Sequence, residues 1–159
     1  MKMTRRSVRG FSLIELVIVV VIIAIIGAIA IPKMSRGAQG AGDSALIQDL
    51  AVMRAALDLY NTEHPTSALT AAQIAAGNLT GYTDSIGTYS ATKTATCIYG
   101  PYLKTFPAMP VGTYKGQNTV LSSGGAGTAA GGWYFTGTDF QANCPATDKD
   151  ASGTSYNTY

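Results

Sequence analysis

Three sets of side chains in this 159-residue chain are of types that do chemistry. Glu15 is a lone carboxylate in an otherwise aliphatic run, GFSLIELVIVVVIIAIIGAIAIP, from Gly10 to Pro32. Such a charge either snorkels to the membrane interface or is an intramembrane ion that needs a partner, and hydropathy leaves both readings open. Cys97 and Cys144 are the two cysteines. If the region that holds them is exported, their even number suggests a disulfide closing a loop of about 48 residues, worth roughly 4 kcal/mol in the chain-entropy model. Asp148 and Asp150 are carboxylates on alternate positions of a Thr- and Ser-rich stretch. They could contribute to a calcium site, although the composition of residues 145–159 points first to a disordered tail.

The element that must carry Glu15 is a membrane helix. Phe11 to Ile31 is 21 residues, enough to cross the hydrocarbon layer of about 30 Å. The twelve Leu, Val and Ile residues after Glu15 contribute roughly −4 to −7 kcal/mol, against about +3 for an acidic residue at the bilayer centre. Insertion therefore wins. Lys2, Arg5, Arg6 and Arg9 precede the run, which places the N-terminal end in the cytoplasm and exports the rest. The formal charge of +2 is misleading: four of the eleven basic residues lie in that leader, leaving seven against nine acids beyond it. A slightly acidic body without a basic stripe argues against nucleic acid as the main partner. Ala28-Ile29-Ala30 also has the form of a signal-peptidase site, but the apolar run is longer than a cleaved signal's and carries a charge, which favours a retained anchor.

Gly10-Phe11-Ser12-Leu13-Ile14-Glu15, behind a short basic leader and ahead of a long aliphatic run ending at Pro32, resembles the prepilin signal of type IV pilins and type II secretion pseudopilins. The resemblance implies cleavage between Gly10 and Phe11 by a prepilin peptidase and N-methylation of Phe11. It implies also that Glu15 pairs with the N-terminal amine of a neighbouring subunit. The cut would create an ammonium four residues before Glu15, and a single buried charge pair of this kind sets register in a stack of identical helices.

Pro32 is expected to kink the helix. The three glycines of residues 36–42 each cost about 1 kcal/mol relative to alanine, and a weakened but continuous helix is expected there. From Asp43 to Glu63 the apolar residues Leu46, Leu50, Met53, Leu57 and Tyr60 recur at helical spacing, giving one face to pack on a globular head. Pro65 ends the helix. His64 sits at that boundary without a cluster of other ligands and reads as a capping or surface residue, not a metal ligand.

In the head, Thr70-Ala-Ala-Gln73 is a capping-box pattern opening a short helix that stops near Gly77. Residues 80–96 suggest loops and short strands. Tyr99 to Pro110 (YGPYLKTFPAMP) is too rich in proline for helix or central strand, yet carries Tyr102, Leu103, Phe106 and Met109 for burial. It is similar to the corresponding region of the major pseudopilin. Trp133 to Thr136 and Asp139 to Asn143 flank Gly137-Thr138 as a tight hairpin, with Asn118 to Ser122 as a third strand. The sequence between them, SSGGAGTAAGG, is a flexible loop by composition. The family resemblance adds weight to calcium at Asp148 and Asp150, since such heads carry a calcium loop near their C-terminus, but the acidic pattern here does not clearly match.

The expected fold is α+β: a long N-terminal transmembrane and amphipathic helix packed on a small antiparallel sheet, as in pilins. The segments are a leader (1–10), a transmembrane and polymerisation helix (11–35), an amphipathic helix (36–63), and a head with a flexible tail (64–159). No nucleophile and base, paired carboxylates or phosphate loop supports an enzyme, and no cofactor is expected beyond weakly supported calcium. The leading function is a subunit of a pseudopilus that drives protein export by type II secretion. It would reside in the bacterial inner membrane with its head in the periplasm, and its partners would be copies of itself, the prepilin peptidase, the assembly platform and minor pseudopilins. A type IV pilin for adhesion, motility or DNA uptake is the alternative, and a monomeric membrane-anchored binding module is the second.

Overall fold

The computed structural model describes residues 10–159; the basic leader read as a topology signal lies outside the described residues. Two compact units are distinguished, the first ending at Ala38 and the second running from Gln39 to Tyr159. The first element is α1 (Leu13–Glu63), whose helical assignment is unbroken through Pro32 and through Gly37, Gly40 and Gly42. A proline removes one backbone donor and a glycine only helix propensity, so neither has to end a helix with strong formers on both sides.

In the first unit the span Leu13–Ala30 of α1 is aliphatic apart from Glu15, long and apolar enough to cross a membrane, and none of it is buried among the described residues. In the second unit α1 is one-sided. Leu46, Leu50, Met53, Leu57 and Tyr60, the face expected from spacing, are all buried. Burial of each such side chain contributes about 1.5–3 kcal/mol, which outweighs the weak propensity of the neighbouring glycines. The helix ends where its last amide, His64 N–H, donates to the Tyr60 carbonyl (2.9 Å), one residue before Pro65.

A short helix, α2 (Ala71–Ala76), follows with the anticipated capping box: Gln73 N–H donates to Thr70 Oγ1, and Gln73 Oε1 accepts from Thr70 N–H. Gly77 closes it with φ of 97°, a left-handed conformation that glycine adopts without strain. β1 (Tyr82–Thr83) and β2 (Tyr89–Ser90) form a small antiparallel pair. The proline-rich segment is a packed loop in which Leu103, Met109 and Val111 join the core.

A second sheet has the order β3-β4-β5. β4 (Trp133–Phe135) and β5 (Phe140–Ala142) form the expected hairpin, with Trp133 opposite Ala142 and Phe135 opposite Phe140. Inward Trp133 and Phe135 alternate with half-buried Tyr134, the period of a strand with one face on a core. β3 (Val120–Leu121) pairs with β4 in parallel, so the small, mainly antiparallel sheet expected of the head is a mixed one. A tight turn would return the chain antiparallel. The glycine-rich connection is instead long enough to bring it back to the end of the sheet from which it left. The head is therefore a small mixed sheet against a helix, and the fold is α+β.

The segment from Pro145 onward also departs from expectation. It is not a loose tail but a packed turn: Lys149 bridges to Ser155, a short 3-10 turn spans Tyr156–Thr158, and Tyr156 is buried in the core. Tyr156, with Tyr159 partly buried beside it, anchors the segment among its threonines and serines.

Candidate functional site

Gly10, Phe11 and Ser12 lie in irregular backbone ahead of α1, and a Cβ placed on Gly10 would meet nothing within 4 Å. Phe11 is 80% exposed. The bond between Gly10 and Phe11 is thus outside helical hydrogen bonding and open to approach. Ser12 is the residue that sequence reading missed. Its carbonyl accepts the first helical bond, from Leu16 N–H at 3.2 Å, and its own N–H donates to Glu15 Oε2 at 2.8 Å. This is the reach-back half of a capping box, for which the spacing Ser12-x-x-Glu15 was the available signal. The carboxylate also sits in the first turn, where the helix dipole favours negative charge. Glu15 is therefore partnered within its own chain before any other partner is present. Pro32, the expected kink, lies within α1.

The head supplies the remaining candidates. Cys97 and Cys144 are both buried and both free, which corrects the expected disulfide. Their surroundings differ: Cys97 Sγ lies beside the Thr88 carbonyl (3.8 Å) and the Thr96 hydroxyl (4.0 Å), whereas Cys144 is part of the main core near Gly112 and Asp148. Even parity says nothing about whether two thiols converge. Burial first, and Asp148 second, push the Cys144 thiol up to about 11, so it stays protonated and unreactive at neutral pH.

Asp148 and Asp150 are not brought together as a cation site. Asp148 Oδ2 accepts Thr113 N–H at 2.6 Å, while Asp150 is enclosed by donors from residues 152–159. Among the described residues no three His, Cys, Asp or Glu side chains gather to hold a metal.

His64, expected at the surface or as a cap, is a cap and is buried, at 1% exposure. Its Nδ1 lies 2.9 Å from the Tyr60 carbonyl and its Nε2 2.7 Å from the Asp84 carbonyl and 3.1 Å from Thr83 Oγ1, with the ring stacked on Tyr60. Every ring nitrogen is engaged by the protein, as in a structural histidine. Arg54, on the polar side of the helical wheel, reaches Asp139 (2.8 Å) and the Phe140 carbonyl (3.0 Å), tying α1 to the hairpin. Glu63 accepts the Tyr102 hydroxyl; burial first and this bond second raise the phenol above its ordinary range. These contacts assemble a scaffold around the helix and the hairpin.

Comparison with known proteins returns to the N-terminal segment. Residues 5–31 match the family described as the prokaryotic N-terminal methylation motif. The chain is also 32% identical over 68 residues to the type II secretion system core protein G of Klebsiella michiganensis, an alignment covering 41% of this chain and 48% of that protein. The match thus spans about half the length of this curated relative. No solved structure matches the chain. The resemblance to type IV pilins and type II pseudopilins, read from Gly10 to Pro32, is supported by both motif and relative.

Proposed function

We propose that this chain, which has the prepilin-type motif and the helix-plus-head architecture of the pseudopilin family, is a structural subunit of a pseudopilus serving type II secretion. The observation that carries the reading is the conjunction at the N-terminus: an accessible Gly10–Phe11 bond, Glu15, and an apolar span Leu13–Ala30 that the chain itself leaves unburied. So large an apolar surface has to be covered by lipid, by identical helices, or by each in turn.

The proposed sequence starts with insertion, leader inside and head in the periplasm. The Ser12 N–H satisfies one Glu15 oxygen, which lowers the cost of carrying the carboxylate into the membrane. Prepilin peptidase then cleaves after Gly10 and Phe11 is N-methylated. The new ammonium, four residues before Glu15, becomes available to the Glu15 of an adjacent subunit. The apolar helices next exchange lipid for one another as an assembly platform extracts them, with minor pseudopilins as further partners, and Pro32 supplies the proposed kink. Calcium at Asp148 and Asp150 has no support from the donor geometry around them.

Mass spectrometry of the N-terminus of the membrane-extracted protein tests the first step: a methylated Phe11 is expected, and a terminus at Ile31 would overturn the reading. Glu15→Ala tests the second. Assembly should be lost while membrane insertion stays normal; unchanged self-association would favour a monomeric anchored binding module. The alternative of a type IV pilin predicts long surface fibres built mainly from this subunit at native expression. The likeness to the type II secretion system core protein G of Klebsiella michiganensis favours secretion.

A further inference from the structure

One polar cluster outside the N-terminal segment joins the two ends of the second compact unit's sequence. Asp43, on α1, accepts the Tyr156 hydroxyl on Oδ1 and the Ala151 amide (3.1 Å) on Oδ2. One turn earlier Gln39 donates Nε2–H to the Lys149 carbonyl at 3.3 Å. The partners are 108 to 113 residues apart in sequence, and the compact unit that contains them begins at Gln39 itself. The helical residues immediately before it are weakened by Gly37, and Gly40 makes no packing contact through a would-be Cβ within 4 Å. Local propensity alone gives residues 39–43 little reason to stay helical, so these long-range bonds add to the burial of Leu46 and the close approach of Gly42 to Val111 in ordering them.

Behind this contact Asp150 braces the loop. Its Oδ1 accepts Ser152 N–H and Thr154 N–H, both at 2.8 Å; the Ser152 hydroxyl lies 2.8 and 2.9 Å from its two oxygens, and the Tyr159 hydroxyl donates to Oδ2. An ionised carboxylate has about four lone-pair sites, and four donor groups of the chain point at this one. Asp148 meanwhile takes the Thr113 amide. A calcium ion needs some six to eight oxygens turning lone pairs toward it. Here Asp43, Asp148 and Asp150 are each turned toward N–H or O–H hydrogens, so the donor set does not fit a cation.

We propose that the Tyr156–Asp43 contact, braced by Tyr159 and Asp150, is a C-terminal clamp that holds residues 39–43 of α1 to the rest of the second unit, closed by the chain's own hydroxyl and amide hydrogens and not by a divalent cation. The clamp makes the last four residues contribute to order at the opposite end of the unit's sequence. The expected pattern is tested on the full chain in detergent micelles, melted in millimolar calcium and in EDTA. Wild-type melting should agree between the two within about 1 °C, and Tyr156→Phe should lower it by about 2–4 °C. Limited proteolysis should remove residues 145–159 several-fold faster in Tyr156→Phe than in wild type. If Tyr156→Phe does not fold, Tyr159→Phe, which removes only the brace, must lower the melt and speed the nicking for the clamp to stand. A calcium-dependent rise in melting temperature, or saturable calcium binding by titration calorimetry, would overturn closure without a cation. Unchanged melting and nicking in both variants would overturn the clamp. Neither result depends on whether the N-terminus is processed or polymerised.

Discussion

Trp133 is fully buried on β4 and donates its indole N–H to the Pro107 carbonyl at 2.7 Å, so one side chain holds the proline-rich loop to the sheet. Trp133→Phe removes both volume and donor, leaving the part-buried Pro107 carbonyl without this partner. A loss of about 2–4 kcal/mol is expected, measured by denaturant unfolding of the full chain in detergent. Arg54 makes a comparable tie from α1 to Asp139 and Phe140, but both charged side chains are about half exposed, at 40% and 45%. Solvent screens such a pair, so Arg54→Ala should cost only about 1 kcal/mol by the same measurement. His64 differs from both: two carbonyls and a hydroxyl converge on its ring in the core. Its burial was invisible in sequence because Thr83 and Asp84, which enclose it, lie some twenty residues away.

At the scale of the element, the glycines of α1 separate into two kinds. A Cβ on Gly42 would lie 2.7 Å from Val111 Cγ1, closer than packed carbons tolerate, whereas one on Gly40 would meet nothing within 4 Å. Gly40→Ala should therefore raise stability by about 1 kcal/mol through helix propensity, while Gly42→Ala should lose that gain or become destabilising as the loop at Val111 is pushed away. Paired thermal melts of the two variants check this, and equal shifts would contradict the packing. Composition reported the same glycine-rich stretch in both cases and could not distinguish a close approach from open space. The helical face, the α2 capping box and the β4-β5 hairpin were legible because each is written in residues three to ten apart. The parallel placement of β3 was not, since it depends on how a glycine-rich connection is routed.

For the whole molecule, acid is the condition that distinguishes the head's polar ties. Asp150 is held at about 2, chiefly by the Tyr159 hydroxyl and then by Ser152, and Asp84 is lowered chiefly by the Thr88 amide. A carboxylate lowered in the folded state contributes stability that is complete above its unfolded value of about 3.9 and is lost as pH falls through its folded value. Melting temperature should thus fall between about pH 4 and 2, and Asp150→Asn should flatten part of that fall. The tyrosines work in the opposite direction. Tyr102, Tyr156 and Tyr159 are raised, by burial first in Tyr102 and Tyr156 and by the Asp150 bond first in Tyr159. Their contribution is present below about 10 and is lost as pH rises beyond it.

The sequence by itself determined the N-terminal methylation-type motif, the membrane-length apolar span and the face that α1 buries in the second unit. These are contiguous or periodic patterns, and hydropathy, charge order and helical repeat act along the chain. Tertiary structure decided that Cys97 and Cys144 are free, that Asp148 and Asp150 are filled by hydrogen-bond donors, and that the C-terminal segment is packed on α1 through Tyr156 and Asp43. Each of those outcomes depends on which side chains meet across tens of residues. Spacing in sequence does not encode that meeting; it is settled when the core of Leu50, Tyr60, Trp133 and Phe140 closes around them.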